Sequence, residues 1–252
     1  MSSLLKVEGL TRTFAGVVAV HSVSFDVAAG EIIGVIGPNG AGKTTLVNLI
    51  TGVLKPTSGT VIFDQEDVTG QRPMQAARRG MSRTFQIVQP FPQMTVIENV
   101  MAGSLFAGAA QDMLAAEQEA LECLRLVGLE HVASKSASSL GLASRKRLEL
   151  AKSLASKPKL LMLDEVNAGL NSGEIDGALA LIRNIAERGI TILIIEHLMK
   201  VVMSLSQRLL VLHHGELIAD GDPKAIIKDK RVIEAYLGPK FAARAEGYAN
   251  AQ

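Results

Sequence analysis

The stretch Gly37-Pro-Asn-Gly-Ala-Gly-Lys-Thr-Thr45 satisfies the pattern G-x-x-x-x-G-K-[ST] through Gly37, Gly42, Lys43 and Thr44. Before it, Glu31-Ile-Ile-Gly-Val-Ile36 reads as a buried strand; after it, Leu46-Val-Asn-Leu-Ile50 reads as a helix. A Gly-rich turn in that position lets backbone N–H groups wrap a phosphate, and the N-terminus of the following helix favours negative charge. Lys43 is then expected at the β and γ phosphates, and the Thr44 hydroxyl on Mg²⁺. Pro38, Asn39, Gly40, Ala41 and Thr45 complete the expected nucleotide loop. A chance Gly-rich turn would have no reason to sit between a strand and a helix. The context implies that the chain binds a nucleoside triphosphate.

Working outward, the first sixty-odd residues are strand-rich. Leu4–Leu10, Val17–Val27 and Thr60–Asp64 carry β-branched residues in partial alternation, with Gly, Pro and Ser turns between them. Beyond Gln86 the pattern turns helical: Thr95–Gly108, Asp112–Val127 and Ser144–Ser156 are rich in Ala, Leu, Glu and Met. From Lys159 strands and helices alternate again. Lys159–Asp164 and Thr191–Ile195 read as strands, Ser172–Arg188 and Met199–Gln207 as helices, and Leu209–Leu212 and Glu216–Ala219 as later strands. Strand–helix alternation predicts an α/β fold with a mainly parallel sheet. The helical block at about 88–158 then reads as an insertion into a domain spanning 1–238, followed by a small-residue tail (239–252) expected to be poorly ordered.

Composition narrows the classes. Lys plus Arg number 26 against 25 Asp plus Glu, so the chain lacks the basic excess of a nucleic-acid binder, and no nucleic-acid partner is expected. The longest apolar runs, such as Leu160–Leu163 and Ile192–Ile195, fall far short of the ~20 residues that a membrane-spanning helix needs. No charged-then-apolar signal peptide opens the chain. The single cysteine, Cys123, excludes an internal disulfide, suits a reducing compartment, and is expected to be a buried structural thiol.

The second chemistry-bearing segment is Leu160-Leu-Met-Leu-Asp164-Glu165, an apolar strand ending in two adjacent acids. Delivery of Asp by a buried strand to a phosphate loop is how such folds hold Mg²⁺. Side chains alternate along a strand, so the two acids are expected to differ in direction and role, Asp164 toward metal and Glu165 toward the attacking water.

Gly37–Thr45, Gln86, Asp164-Glu165, Ala168-Gly-Leu-Asn171 and His197 occur in the order seen in ABC-transporter ATPase subunits, and the chain resembles them from Leu4 to Gly238. Ser82-Arg-Thr-Phe-Gln86, Met94-Thr-Val-Ile-Glu-Asn-Val100, Ile195-Glu-His197 and Glu234-Ala-Tyr-Leu-Gly238 are similar to the subunits that energise uptake of branched-chain (hydrophobic) amino acids. The resemblance implies a P-loop NTPase of the ABC type, with an antiparallel β subdomain and an inserted helical subdomain. It implies an ATP- and Mg²⁺-dependent ATPase coupled to solute translocation. Glu165 would be the general base, with Gln86 sensing metal and γ-phosphate and His197 contacting γ-phosphate. Without that family order, Gln86 would pass for a polar loop residue and His197 for a structural histidine. Phe14 matches the aromatic that stacks on adenine, with a core Phe in a strand-rich lobe as the lesser alternative. Asn171 stands in the loop that crosses to a partner subunit.

The resemblance also implies partners: integral-membrane permease subunits contacting residues 86–98, a second ATPase in a head-to-tail dimer, and a solute-binding protein indirectly. The chain would then lie peripherally on the cytoplasmic face of a bacterial-type inner membrane. Phe91 and Met94, in Pro90-Phe-Pro-Gln-Met94, are candidate apolar anchors for the permease, or else fold back into the helical block.

In one place the sequence departs from the family. The signature L-S-G-G-Q, which closes the partner's ATP site, is here Leu140-Gly141-Leu142-Ala143-Ser144. Gly141 replaces the serine, and Ala143 the second glycine, unless a local shift of register lets Ser144 supply the hydroxyl. Val166 replaces the proline that commonly follows the catalytic glutamate. The expected assembly is therefore a heterodimer in which this chain's own loop is well equipped and its closing surface is weak. Two other functions fit a cassette of this kind: a soluble ATPase uncoupled from transport, and a non-hydrolytic regulatory nucleotide binder.

Overall fold

A computed structural model describes residues 3–84 and 90–237. The chain forms two compact units, the first drawn from Met1–Ala28, Ile32–Gly70 and Ile194–Gln252, the second from Ala29–Glu31 and Gln71–Leu193. Gln86 and the tail 239–252 lie outside the described residues.

The first unit opens with β1 (Ser3–Phe14) and β2 (Val17–Ala28), long antiparallel strands with Val7 opposite Phe25. β3 (Ile32–Ile36) follows, then α1 (Lys43–Ile50), β4 (Ser58–Phe63) and the short β5 (Glu66–Asp67). β1, β2, β4 and β5 make one antiparallel sheet in the order β2-β1-β4-β5, with Leu5 opposite Phe63 and Val7 opposite Val61. Leu5, Val7, Leu10, Val61 and Phe63 are buried, while Lys6 and Glu8 on the other face are solvated, the alternation of a half-buried sheet.

In the second unit α2 (Pro73–Arg78) leads to β6 (Met81–Arg83), followed by the helices α3 (Val96–Ala107), α4 (Met113–Val127) and α5 (Leu142–Leu154). β7 (Leu160–Asp164) pairs parallel with β6, Arg83 lying opposite Met162, and α6 (Ser172–Glu187) follows. Cap residues set the helix ends. Thr95 accepts from the Glu98 N–H while Glu98 reaches back to Thr95, and Gly108 ends α3 in the left-handed conformation. Asp112 caps α4, and Gly128 ends it in the same way as Gly108 ends α3. α3 and α5 cross closely at Gly103, where an added Cβ would lie 2.5 Å from the Lys152 carbonyl oxygen.

β8 (Thr191–Ile195) carries the chain back to the first unit, which it completes with α7 (Met199–Leu205), β9 (Arg208–His213), β10 (Glu216–Gly221), α8 (Pro223–Ile226) and α9 (Lys230–Leu237). β9 pairs parallel with β3, Ile36 opposite Val211, and antiparallel with β10. Every residue of β3, β7 and β8 is buried, as strands covered on both faces require. Ile36, Val202, Leu209, Val211, Ala219, Ile226 and Val232 form one apolar cluster that seats α7, α8 and α9 against β3 and β9. The fold is α/β with parallel and antiparallel sheet, as expected. The short elements β5, α2, β6, α8 and α9 carry too few residues to show a period and were not anticipated. Among the described residues no helix is long and apolar enough to cross a membrane.

Candidate functional site

In the first unit, β3 delivers the chain to Gly37 with φ 152°, where an added Cβ would lie 2.1 Å from the Leu212 carbonyl oxygen. Gly42, at φ 100°, turns the chain into α1, and a Cβ there would lie 2.5 Å from the Ala19 oxygen. Only glycine fits either place. The loop is braced from behind: Ala41 N–H bonds the Pro38 oxygen (3.2 Å), and Gly215 N–H bonds the Ala41 oxygen (3.0 Å). α1 starts at Gly42 with no side-chain cap, so its first N–H groups keep their capacity for an anion. Lys43 is buried, and its ammonium bends back to the Gly37 and Pro38 oxygens at 2.7 and 3.0 Å. Asn39, Gly40 and Thr44 are exposed. Loop backbone, uncapped helix and ammonium together fit a polyphosphate.

Three further residues of this unit bear on the loop or on its expected ligand. Phe14 is 38% exposed at the end of β1, with the Arg12 guanidinium 4.5 Å from its ring centre, so it is not a core residue. His197 is exposed immediately after β8 and the fully buried Glu196. Tyr236 lies in α9, within the stretch Glu234-Ala-Tyr-Leu-Gly238. Burial raises the pKa of its phenol, and the nearby backbone of Gly37 partly offsets the rise.

In the second unit, β7 ends on Asp164, which is 4% exposed. Its Oδ2 accepts from Arg83 Nη2 at 2.8 Å, and its backbone N–H bonds the Thr84 hydroxyl at 3.2 Å. Glu165 is half-buried with φ 47°, and Ala168 N–H bonds its carbonyl at 3.1 Å. The two acids do have different surroundings, but strand alternation is not the cause. The strand stops at Asp164, and a left-handed residue, a conformation costly for a side chain with a Cβ, redirects Glu165. No cluster of three or more His, Cys, Asp or Glu suited to a metal occurs among the described residues. Mg²⁺ needs none, because one or two carboxylates, phosphate oxygens and water suffice. Asp164 and Thr44 are chemically suitable donors.

The sequence pattern of the family described as "ABC transporter" matches residues 20–168. The chain belongs to the ABC-transporter ATPase family. A second pattern, "Branched-chain amino acid ATP-binding cassette transporter", matches residues 216–238 of this ABC ATPase. It is 40% identical over 249 residues to the high-affinity branched-chain amino acid transport ATP-binding protein BraF of Pseudomonas aeruginosa, covering 93% of this chain and 98% of BraF. It is 41% identical over 251 residues to the corresponding protein LivG of Escherichia coli K12, with coverage of 93% and 98%. Among solved structures, an ATP-binding cassette of an ABC transporter in its ADP conformation superposes with a TM-score of 0.86 at 31% identity, covering 94% of this chain and all of the other. A dimeric bacterial ABC transporter cassette gives a TM-score of 0.77 at 26% identity, with coverage of 87% and 98%. Like its relatives, the chain is an ATP-hydrolysing subunit that binds ATP.

The stretch expected to act as the signature of this ABC subunit forms the start of α5. Gly141 is its N-cap, exposed, at φ −70° and without a side-chain cap; Leu142 is half exposed, and Ala143 and Ser144 are partly buried. Asn171 caps α6 in a reciprocal box: its Oδ1 accepts from Glu174 N–H at 3.0 Å and its own N–H bonds Glu174 Oε2 at 2.8 Å. Phe91 is 49% exposed, not folded into the helical core, and Asn99 holds its backbone at 2.7 and 3.1 Å. Met94 is partly buried. Arg83 and Lys146 emerge only from the structure, because their partners lie 81 and about 20 residues away in sequence.

Proposed function

We propose that this chain energises an importer for branched-chain or other hydrophobic amino acids. It would sit on the cytoplasmic face of a bacterial-type inner membrane, against permease subunits that a solute-binding protein feeds. The observation that carries this reading is the near full-length likeness to BraF and LivG.

The chemistry assigned to each residue is carried over from the family likeness, and the surroundings described above support it for the residues outside 85–89. N–H groups of Gly37–Thr45 and the Lys43 ammonium hold the phosphates, and the exposed Phe14 ring offers a face to adenine. By the family likeness Asp164, Thr44 and Gln86 would be donors to Mg²⁺, which would supply charge to neutralise the phosphate oxygens. Glu165 takes the proton of the attacking water, while His197 and Gln86 contact the γ-phosphate. In a head-to-tail dimer, residues Gly141–Ser144 would close the partner's ATP, and Asn171 would lie in the crossing loop.

The assembly we infer is a heterodimer. With Gly141 at the N-cap, α5 lacks the hydroxyl that the usual signature serine presents there. The site completed by this chain's signature would turn over slowly, and the site built on Gly37–Thr45 would carry hydrolysis.

The transporter, purified with its native partners and reconstituted, tests the reading. Hydrophobic amino acids should stimulate ATP turnover several-fold over a panel of polar ones, and Glu165→Gln should lower it by at least two orders of magnitude, the scale of a lost general base. Turnover indifferent to every amino acid offered would remove the import assignment.

A further inference from the structure

The peptide that carries Glu165 is held by the helix that carries the signature. Lys146, one turn into α5, donates from Nζ to the Val166 carbonyl at 3.0 Å and, more weakly, to the Glu165 carbonyl at 3.4 Å. Glu165 itself is in the left-handed region, a backbone state that persists only where its surroundings enforce it. The Lys146 ammonium occupies the two carbonyls that follow the bend. Beside it, α5, β7 and α6 form a mainly apolar cleft lined by Ala143, Leu163, Val166, Leu170 and Ile182, with the charged Arg147 and Glu174 also on its wall. Lys146 is partly buried there, so its charge-assisted hydrogen bond counts for more than one in bulk solvent. A second contact runs the same way: Leu142 Cδ2 lies 3.2 Å from where a Cβ on Gly169 would stand. Both ends of the bridge belong to one compact unit.

We propose that Lys146 is a positioning residue that couples the two ATP sites served by this chain. Resting on the roles proposed above for Glu165 and the signature, the inference is that docking of α5's first turn on a partner's ATP sets, through Lys146, the backbone from which Glu165 reaches the chain's own ATP. Val166 bears on this directly. A proline there would fix the φ of the peptide after Glu165 by its ring, whereas valine leaves it to be held from outside. The lysine supplies that hold.

The experiment is ATP turnover by the transporter assembled with its native partner subunits. Lys146→Met should lower kcat by about tenfold or more, the scale of a lost hydrogen bond to a charged group, with KM for ATP changed by less than about twofold. Lys146→Arg, which keeps the charge and can reach the same carbonyls, should restore most of the rate. The double change Gly141→Ser with Ala143→Gly should alter turnover in the wild-type background and much less beside Lys146→Met, as expected of coupled sites. Lys146→Gln takes the place of the Met variant if the latter does not assemble. A kcat within twofold of wild type, a change confined to KM, a loss that arginine does not repair, or full additivity with the signature change would overturn the coupling. Glu165→Gln separates the two layers. If it stays active, the role given to Glu165 is wrong; if it is inactive while Lys146→Met is unaffected, only the coupling is wrong.

Discussion

Arg83 and Asp164 form a buried ion pair, Nη2 to Oδ2 at 2.8 Å, with side-chain exposures of 10% and 5%. It joins β6 to the end of β7, which the parallel register places side by side, Arg83 opposite Met162. The pair therefore fixes the carboxylate proposed to hold Mg²⁺ against β6. Removing one member of a buried pair leaves an uncompensated charge and costs ~3–5 kcal/mol. Arg83→Met is expected to lower the thermal midpoint by about 6–20 °C, on the ~2–4 °C per kcal/mol of a domain this size. Arg83→Lys should recover part of this, keeping the charge without the planar fork. Thermal unfolding decides it, and a midpoint for Arg83→Met within about 2 °C of wild type would sink the argument.

That pair also marks the limit of what the sequence discloses. The strand–loop–helix around Gly37–Thr45 was legible because its signal is local: two glycines whose Cβ atoms would strike backbone, a lysine, and a strand and helix on either side. α3 and α4 were legible for the same reason, since Thr95, Gly108, Asp112 and Gly128 punctuate them in sequence. Arg83 was visible only as a letter in Ser82-Arg-Thr-Phe-Gln86, because nothing local ties it to an acid 81 residues on. Glu165 shows the same limit in its backbone. Alternation along a strand assigned its direction, yet the strand ends one residue earlier and a left-handed turn takes over.

Cys123 is 6% exposed on α4, and burial pushes its thiol from 9.0 up to about 12, with Glu119 and Glu122 adding to the rise. The folded thiol thus keeps its proton where the unfolded one has lost it. Its contribution is intact below about pH 9 and is lost progressively as pH rises toward 12, at up to ~1.4 kcal/mol per pH unit. Urea unfolding of wild type and Cys123→Ala at pH 8 and pH 10.5 should give a stability difference that moves against the wild type at the higher pH. In native protein at pH 8 the thiol should label far more slowly than a free cysteine. Labelling at the free-thiol rate would show that it is not held as described.

Asn171 ties its loop to α6 through the reciprocal bonds with Glu174. Asn and Asp are equivalent N-caps, so Asn171→Asp should leave stability within ~0.5 kcal/mol, whereas Asn171→Ala should cost ~1 kcal/mol. Denaturant unfolding of the two variants measures this directly. Equal loss from both would mean that capping is not what Asn171 does for the fold.

The signature role proposed for Gly141–Ser144 yields the prediction that bears most on assembly. At Gly141 an added Cβ meets nothing within 4 Å, and φ is −70°, a conformation open to any L-residue. Serine can therefore be introduced there without strain, and as an N-cap it should leave the helix as stable or slightly more so. Its hydroxyl would add a hydrogen bond to a charged phosphate, worth ~1.5–3 kcal/mol, or roughly ten- to hundred-fold in the closing equilibrium of the site that this chain completes. Ala143→Gly removes a methyl where backbone is expected to approach the same phosphate. The double change should raise turnover at that site, seen most clearly when the site on Gly37–Thr45 is silenced by Glu165→Gln, so that only the trans site contributes. A trans site that stays as slow after both changes would show that the signature is not what limits it, and that Ser144 or the backbone of α5 already does the work of the missing serine.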